Sequence, residues 1–260
     1  MGLYTIVSKS AGCSVCHLHQ SCLPPRTSGR DASGNPYPDL VNLVAAKGSI
    51  VYRAGDPRRA FFLLKSGSAK AVVFDEHGRN CVTTFFLPAD LIGLSALGCR
   101  TYVDTLELLE RSSICELPAE AFERQCAENR EMMRGMFNKI ATASSLERSA
   151  RMRINHITAA ARLADFLMEI STRMACLNRS PTKLTLSMSR HDIASHLSLA
   201  GETVSRAFHR LEGDGLIAVR GRHVEIRHLD ALSVFETDNK DTPARVGRGR
   251  LLPVADGVAR

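Results

Sequence analysis

The spacing of apolar residues changes at Pro118, and this change restricts the possible folds more than any other feature of the sequence. From about residue 48 to residue 118, short apolar runs such as 61–64 and 81–87 alternate with turns that contain glycine or proline. After Pro118 the apolar residues recur every three or four positions. Short runs with regular turns are typical of a β-barrel or jelly roll, whereas the longer period indicates α-helices. We therefore predict an α+β chain in which a β domain precedes the helices.

The composition along the chain divides it into five parts. Residues 1–12 have no clear period, 13–22 hold three cysteines and 24–38 are rich in proline and glycine, so an irregular arm and linker is expected over 1–38. The other predicted parts are a β-barrel or jelly-roll domain over 39–127, a long helix over 128–156, a winged helix-turn-helix over 157–235 and a disordered tail over 236–260.

The long helix has an apolar stripe that includes Met133, Phe137 and Ile140 and weakens over residues 143–147. An incomplete stripe is typical of a surface helix, but it also suits a modest dimer seam. We expect this helix to pair with the same helix of a second copy.

A helix-turn-helix is predicted close to the C-terminus. Ser189 and Asp192 have the spacing of a capping box, in which a hydroxyl and a carboxylate cap the start of a helix. A short turn over 198–201 separates this helix from a second one over 202–211, and a hairpin with a basic tip at 220–222 follows. A cap, two helices and a basic wing in this order favour DNA binding over a merely solvated helix face.

The second helix has an apolar face and a polar face. Val204, Phe208 and Leu211 recur at the spacing of a buried face. Arginine can donate two hydrogen bonds to guanine, and glutamate can accept one from cytosine. Because Glu202 and Arg206 are neighbours one helical turn apart, each can orient the other while both contact one G·C pair. The candidate DNA-contacting residues are Ser189, Glu202, Thr203, Ser205, Arg206, His209, Arg210 and Arg222.

The overall composition is compatible with a polyanionic partner. Lys and Arg outnumber Asp and Glu by 34 to 27, and the isoelectric point is about 9.1. No apolar run approaches the ~20 residues of a transmembrane helix, and no export signal is apparent, so we expect a cytoplasmic protein without a membrane partner. Nothing in the sequence supplies a nucleophile–base pair or a glycine-rich phosphate loop, so an enzyme is not expected.

Three cysteines cluster near the N-terminus as Cys13-x2-Cys16-x5-Cys22, and Cys115 is the candidate for a fourth ligand. Two cysteines separated by two residues form a clamp that zinc sites and iron–sulfur sites both use. The residues alone leave four interpretations open. These are a [4Fe-4S] cluster, a zinc site joined by His17 or His19, c-type haem at the Cys-x2-Cys-His sequence, and reduced thiols without a metal. Haem attachment conflicts with the missing export signal. The remaining cysteines, Cys81, Cys99, Cys126 and Cys176, are expected to be small buried side chains.

The segment 188–217 resembles the winged helix of the CRP/FNR family of bacterial regulators, and Glu202, Ser205 and Arg206 match its FNR-type Glu-x-x-Ser-Arg form. The resemblance implies a homodimer that binds double-stranded DNA at inverted repeats with half-sites close to TTGAT. It also implies that the β domain is a sensor similar to a cyclic-nucleotide-binding domain. RNA polymerase is then the implied protein partner, with exposed loops such as 75–80 as contacts.

The cysteine spacing resembles the same family. FNR proteins have an N-terminal triplet with this spacing and a fourth cysteine in a Cys-Glu-Ile-Pro context, which 115–118 resembles. The resemblance implies a [4Fe-4S] cluster on Cys13, Cys16, Cys22 and Cys115 and a regulator that is active under low oxygen. The alternative is a regulator of this family that has a zinc or metal-free thiol N-terminus and responds to another signal.

A cyclic nucleotide is the competing ligand for such a barrel. The family's nucleotide pocket has a Gly-Glu pair for the ribose and an Arg-Ser pair for the phosphate, whereas this chain has Gly93-Leu94 and, near the phosphate position, Asp104-Thr105. Arg100 is the nearest basic residue but is displaced. An unpaired acid that faces a phosphate is unfavourable, so nucleotide binding is not expected.

Overall fold

The computed structural model describes residues 5–9, 16, 18, 41–74, 76, 78–154 and 158–235, with the backbone alone described for 5–9, 146 and 149–154. A two-sheet β domain is followed by a long helix and a C-terminal winged helix-turn-helix, which confirms the predicted fold class. The strands of the β domain are β1 (Thr5–Lys9), β2 (Val41–Ala45), β3 (Ile50–Tyr52), β4 (Ala60–Ser66), β5 (Ala69–Phe74), β6 (Asn80–Phe86), β7 (Leu91–Ile92), β8 (Thr105–Leu108) and β9 (Ser112–Pro118).

The β domain is a sandwich of two antiparallel sheets. Their strand orders are β1-β2-β9-β4-β7 and β3-β8-β5-β6. Phe62 and Ile114 of the first sheet and Leu106 of the second belong to one buried apolar cluster between them. Gly67 connects β4 to β5 with φ +89°, and a Cβ at this position would overlap the side chain of Ser112, so the turn requires glycine.

Strand β1 corrects the expectation that residues 1–12 are irregular. It pairs with β2 in an antiparallel register that sets Ser8 opposite Asn42 and Lys9 opposite Val41. Five residues are too few to show a period in sequence. The strand forms because β2 presents backbone groups that need hydrogen-bond partners. As a result, the two residues that flank the segment 10–40 lie opposite each other.

Two helices, α1 (Ala119–Glu128) and α2 (Arg130–Ile154), follow the last strand of the sandwich. Asn129 between them is extended, with φ −124° and ψ 111°, and its Oδ1 accepts hydrogen bonds from the backbone N–H groups of Glu131 and Met132. The long helix therefore starts at Arg130, two residues later than predicted, because the asparagine side chain caps it.

Both helices cover the outer face of the first sheet. Phe61 and Leu117 of the sheet, Phe122 of α1 and Met132 of α2 form a second buried cluster there. Cys115 belongs to the same cluster, so its side chain lies on the helix-covered side of the sheet.

The C-terminal unit is a helical core with a three-stranded wing. Its elements are α3 (Ala159–Cys176), β10 (Lys183–Thr185), α4 (Arg190–His196), α5 (Gly201–Gly213), β11 (Ile217–Arg220), β12 (His223–Ile226) and α6 (Leu229–Ser233), and the strand order of the wing is β10-β12-β11. Fully buried apolar residues from α3, α4 and α5, among them Leu163, Ile193 and Val204, join these elements into one core.

Side chains of the β domain contact the C-terminal unit. The ring of His196 lies 5.0 Å from that of Phe85 on β6 and 5.8 Å from that of Phe166 on α3. The hydroxyl of Ser195 accepts a 2.9 Å hydrogen bond from the backbone N–H of Val82. The first helix of the helix-turn-helix is therefore packed against the sandwich. Among the described residues, no helix is long and apolar enough to cross a membrane.

Candidate nucleic-acid interface and cysteine site

The start of α4 has the predicted capping box. The Ser189 hydroxyl accepts a hydrogen bond from the backbone N–H of Asp192, and the Asp192 carboxylate accepts one from the backbone N–H of Ser189. Ser189 itself is exposed at the end of the helix. The two reciprocal bonds satisfy donors that the first turn of a helix leaves unpaired, so the start of α4 is rigidly defined.

Helix α5 presents the predicted apolar and polar faces on opposite sides. Val204, Phe208 and Leu211 are buried in the core of the unit. The exposed side carries Glu202, Ser205, Arg206, His209 and Arg210, whereas Thr203 is half-buried. The structure thus gathers five of the eight predicted residues on one continuous helix surface.

Glu202 and Arg206 form the expected pair. Glu202 Oε1 lies 2.8 Å from an Arg206 terminal nitrogen, and the two side chains are 78% and 72% exposed. An ion pair this exposed contributes little to folding. Its effect is to hold a guanidinium and a carboxylate side by side on the surface, where base edges of one G·C pair can contact both.

Two predicted contacts have partners within the protein. Arg222, in the wing turn, donates a 2.7 Å hydrogen bond to the backbone carbonyl of Ser187, and Ser205 donates one of 3.1 Å to the carbonyl of Gly201. The arginine therefore braces the wing against the segment that leads into α4. Arg220, on the same hairpin, is exposed.

Arg190 was not among the predicted site residues, and its guanidinium lies 3.2 Å from the centre of the Phe208 ring. Burial lowers the pKa of Arg190. This cation stacks the first helix of the motif on the second and fixes the angle between them. Its position next to the cap residue was visible in sequence, but its aromatic partner was not.

Lys70 was also missed. Its Nζ, on β5, lies 2.7 Å from an Asp192 carboxylate oxygen and 3.3 Å from one of Glu107. Burial alone would raise the pKa of Asp192, but hydrogen bonds from Lys70 and Ser189 outweigh it and hold the pKa below its ordinary value. The capping carboxylate therefore also ties the helix-turn-helix to the β domain.

At the predicted cysteine site, Cys115 lies on β9 directly opposite Asn42 of β2 and is 8% exposed. The Cys115 thiol donates a 3.1 Å hydrogen bond to Asn42 Oδ1. Cys16 is half-buried, while Cys13 and Cys22 lie outside the described residues, as do His17 and His19.

The sheet register places the end of β1, which precedes the cysteine-bearing segment, close to Cys115. Ser8 pairs with Asn42, and Asn42 pairs with Cys115, so Ser8 is two strands away, about 10 Å at ordinary strand spacing. Cys13 follows the end of β1 by four residues, which span at most about 14 Å. Lys9 and Val41, the residues that flank the segment 10–40, pair with each other on β1 and β2, at one edge of the sheet.

A metal-binding group of three or more His, Cys, Asp or Glu side chains does not occur within the described residues. Two of the four predicted thiols, Cys13 and Cys22, lie outside those residues. The prediction that the other four cysteines are buried is wrong for two of them. Cys126 is buried and Cys81 is half-buried, but Cys99 and Cys176 are exposed, because one follows a surface turn and the other ends α3.

The interpretation of Asp104 as an unpaired acid is wrong. Its carboxylate is buried and accepts hydrogen bonds from the Tyr52 hydroxyl at 2.9 Å and the Ser95 hydroxyl at 2.8 Å. The partners come from β3 and from the 3-10 helix at Leu94–Ala96, so the sequence did not reveal them. The acid is stabilised by its own protein rather than by a ligand.

Comparisons with known proteins agree with this architecture. Residues 161–235 match the family described as Crp-like helix-turn-helix domain, and residues 43–129 match the family described as cyclic nucleotide-binding domain. The solved structure of FixK2 from Bradyrhizobium japonicum matches with a TM-score of 0.69 and 23% identity over 76% of this chain and 98% of that one. At 23% identity, this match shows only that the two proteins share a fold.

Two sequence relatives cover most of the chain. The chain is 31% identical over 224 residues to the transcriptional activator protein anr of Pseudomonas aeruginosa, a match that covers 86% of this chain and 91% of that protein. It is 28% identical to the fumarate and nitrate reduction regulatory protein of Escherichia coli K12, over 86% of this chain and 92% of that protein. Both relatives are transcription regulators, not enzymes. Together with the exposed recognition helix, these matches show that the chain belongs to the CRP/FNR family of DNA-binding transcription regulators, as one of its FNR-type members.

Proposed function

We propose that this regulator responds to oxygen through a [4Fe-4S] cluster held by Cys13, Cys16, Cys22 and Cys115. Under low oxygen it acts as a homodimer on inverted repeats with half-sites close to TTGAT. The observation that carries the proposal is the sheet register. Lys9 and Val41, which flank the segment 10–40, pair across β1 and β2, and β2 lies next to β9, which carries Cys115. Cys13 follows β1 by only four residues. The N-terminal cysteines can therefore reach Cys115, although it is almost a hundred positions away in the sequence.

The residues fit such a cluster. Four thiolates are its usual ligands. Cys115 is buried on the helix-covered side of the sheet, and beside it the Asn42 Nδ2 atom has no hydrogen-bond partner among the described residues. A buried donor without an acceptor is unfavourable, and a ligand sulfur supplies an acceptor. When bound, the cluster supplies an iron centre that reacts with oxygen.

DNA recognition in this proposal belongs to α5. Arg206 donates two hydrogen bonds to guanine O6 and N7, while Glu202 holds the guanidinium and accepts from the paired cytosine. Ser189, Ser205, His209 and Arg210 contact the phosphates or neighbouring bases. The wing turn, held by Arg222, contacts the backbone next to them.

Dimerisation in this proposal uses α2. Phe137 on this helix is 58% exposed in the single chain, so its ring is accessible to a second copy. The strands that flank the segment 10–40, β1 and β2, belong to the same sheet as β9, and α1 and α2 cover that sheet. Binding at Cys115 can therefore bias how α2 pairs. We further propose a cytoplasmic protein whose loop 75–80 contacts RNA polymerase; residues 75 and 77 lie outside the described residues.

Metal analysis of anaerobically purified protein tests the proposal. We expect about four iron and four acid-labile sulfide per chain, an absorbance that bleaches in air, and binding to a TTGAT inverted repeat that is lost with the bleaching. The Cys115→Ser variant should lose the iron, whereas Cys99→Ser, which replaces an exposed thiol, should keep it.

Each other outcome contradicts the proposal in a distinct way. One zinc per chain, or no metal at all, would favour the alternative regulator that responds to another signal. Iron that survives in Cys115→Ser would remove this residue from the ligand set.

A further inference from the structure

A buried amide lies directly beside the proposed cluster ligand. Asn42 is 6% exposed and is paired with Cys115 across strands β2 and β9, so both side chains lie on the same face of the sheet. Its Oδ1 accepts the hydrogen bond from the Cys115 thiol at 3.1 Å. Its Nδ2 has no partner among the residues that the structure describes.

This arrangement is unusual for a position that only packs. The surrounding residues on the same side of the sheet, such as Phe61, Leu63 and Leu117, are apolar and fully or almost fully buried. An apolar side chain of similar size fills such a place without leaving an amide N–H unpaired. The unpaired Asn42 amide therefore lowers the stability of the folded protein. We infer that its N–H has an acceptor in another state of the protein.

We propose that Asn42 is a positioning residue for the iron–sulfur site, and that its amide N–H donates to the Cys115 sulfur when that sulfur is a metal ligand. The inference rests on the function proposed above. A metal-bound cysteine is a thiolate and can only accept hydrogen bonds, whereas the thiol donates its S–H to Oδ1. Because an asparagine amide carries both an acceptor and a donor, rotation of the amide lets one side chain serve both states.

The physical consequence concerns how long the cluster survives. Hydrogen bonds to cluster sulfurs change the reduction potential and the stability of the site. A donor on Cys115 withdraws electron density from the sulfur and restricts its orientation. Removing the donor should make the cluster easier to lose.

Two variants of nearly equal shape isolate the donor. Asn42→Val removes every polar atom, and Asn42→Thr keeps a hydroxyl that can donate to sulfur. Both residues favour β-strands and so suit β2. The variants are reconstituted anaerobically with iron and sulfide beside the unaltered protein. The measured quantities are iron content, the rate at which cluster absorbance decays in air, the midpoint potential, and the melting temperature of the metal-free protein.

We expect the cluster of Asn42→Val to decay several-fold faster and to have a shifted midpoint potential, while Asn42→Thr recovers most of the lifetime. The metal-free Asn42→Val protein should melt at or above the temperature of the unaltered protein, because an unpaired buried donor has been removed. If Asn42 only stabilised the fold, metal-free Asn42→Val would melt at a lower temperature than the unaltered metal-free protein. That result would overturn the inference.

The test separates this inference from the proposed function. If the unaltered protein binds no four-iron cluster, the proposed function is wrong and the inference falls with it. If the unaltered protein binds the cluster and both variants match its lifetime and potential, the role of Asn42 alone is refuted.

Discussion

Among single residues, the Glu202–Arg206 pair is too exposed to stabilise the fold much, and in the proposed function it serves recognition instead. Both side chains are more than two-thirds exposed, so water screens most of their attraction. What the pair gains is orientation, since each side chain restricts the rotamers of its neighbour one helical turn away. Because the two side chains are already restricted, they lose less conformational entropy when they bind a G·C pair than two freely rotating side chains would.

Arg206→Ala should weaken binding to the half-site by about 1–3 kcal/mol and relax the preference for guanine at one position. Titration of labelled duplexes at fixed salt measures both effects, with a duplex changed at that base pair as the comparison. Arg220→Ala, at the exposed wing, should instead weaken binding to all sequences alike. Equal sequence preference in Arg206→Ala and in the unaltered protein would contradict the assigned role.

At the scale of elements, helix α4 is held between two partners. Its inner side joins the core of the C-terminal unit through Ile193, and its outer side contacts β5 and β6 through Asp192, Ser195 and His196. Aliphatic residues of the β domain, such as Val72 and Val82, also belong to the buried cluster that contains Ile193. The polar contacts therefore add to a shared apolar core, and together they fix the orientation of α4 relative to the sandwich.

Lys70→Met should destabilise the protein by about 1.5–3 kcal/mol at neutral pH, because a buried carboxylate loses a charged hydrogen-bond partner. The pKa of Asp192 is held below its ordinary value in the folded protein. This stabilisation is therefore present at neutral pH and is lost as the pH falls through the folded-state pKa. Urea unfolding across a pH series should show the two proteins converging in acid. Lys47→Met, at an exposed turn, is the control, and a difference that persists in acid would refute the assignment.

Phe137→Glu should weaken dimerisation at least about tenfold, since each phenylalanine buried in a symmetric seam contributes about 1.5–3 kcal/mol. Analytical ultracentrifugation over a range of concentrations measures the change. Phe74 at the end of β5 is 63% exposed, so Phe74→Glu is a control with similar exposure on another surface. If both variants dimerise like the unaltered protein, the seam lies elsewhere.

At the scale of the whole molecule, the turn at 87–90 connects the β domain to both helical elements. Lys139 of α2 donates a 3.0 Å hydrogen bond to the carbonyl of Ala89. Arg173 of α3 forms an ion pair with Asp90 and donates a 3.1 Å hydrogen bond to the carbonyl of Phe85. A displacement of α2 therefore reaches the C-terminal unit through one short turn of the sandwich.

Arg173→Met should uncouple the C-terminal unit from the sandwich. We expect calorimetry to show a single unfolding transition for the unaltered metal-free protein and two for the variant, with the C-terminal unit unfolding first. Arg179→Met, in the exposed turn after α3, should leave the single transition intact. One transition in all three proteins would show that the turn does not carry the coupling.

Features that depend on neighbours a few positions apart could be predicted from the amino-acid sequence alone. The change of period at Pro118 predicted the order of sheet and helices, and the spacing of Ser189 and Asp192 predicted the cap of α4. The two faces of α5 followed from helical geometry alone. Local patterns of this kind are readable because a helix or strand repeats every few residues and its caps use nearby side chains.

Contacts between distant residues, in contrast, depend on how the strands pair and how the two units pack. Asp104 is paired with Tyr52, Lys70 lies beside Asp192 at a separation of 122 positions, and Asn42 faces Cys115. Strand β1 likewise exists only because β2 offers it an edge. Sheet register and the packing of one unit on another determine these contacts. Neither produces a periodic pattern in the sequence, because paired strands can lie far apart along the chain.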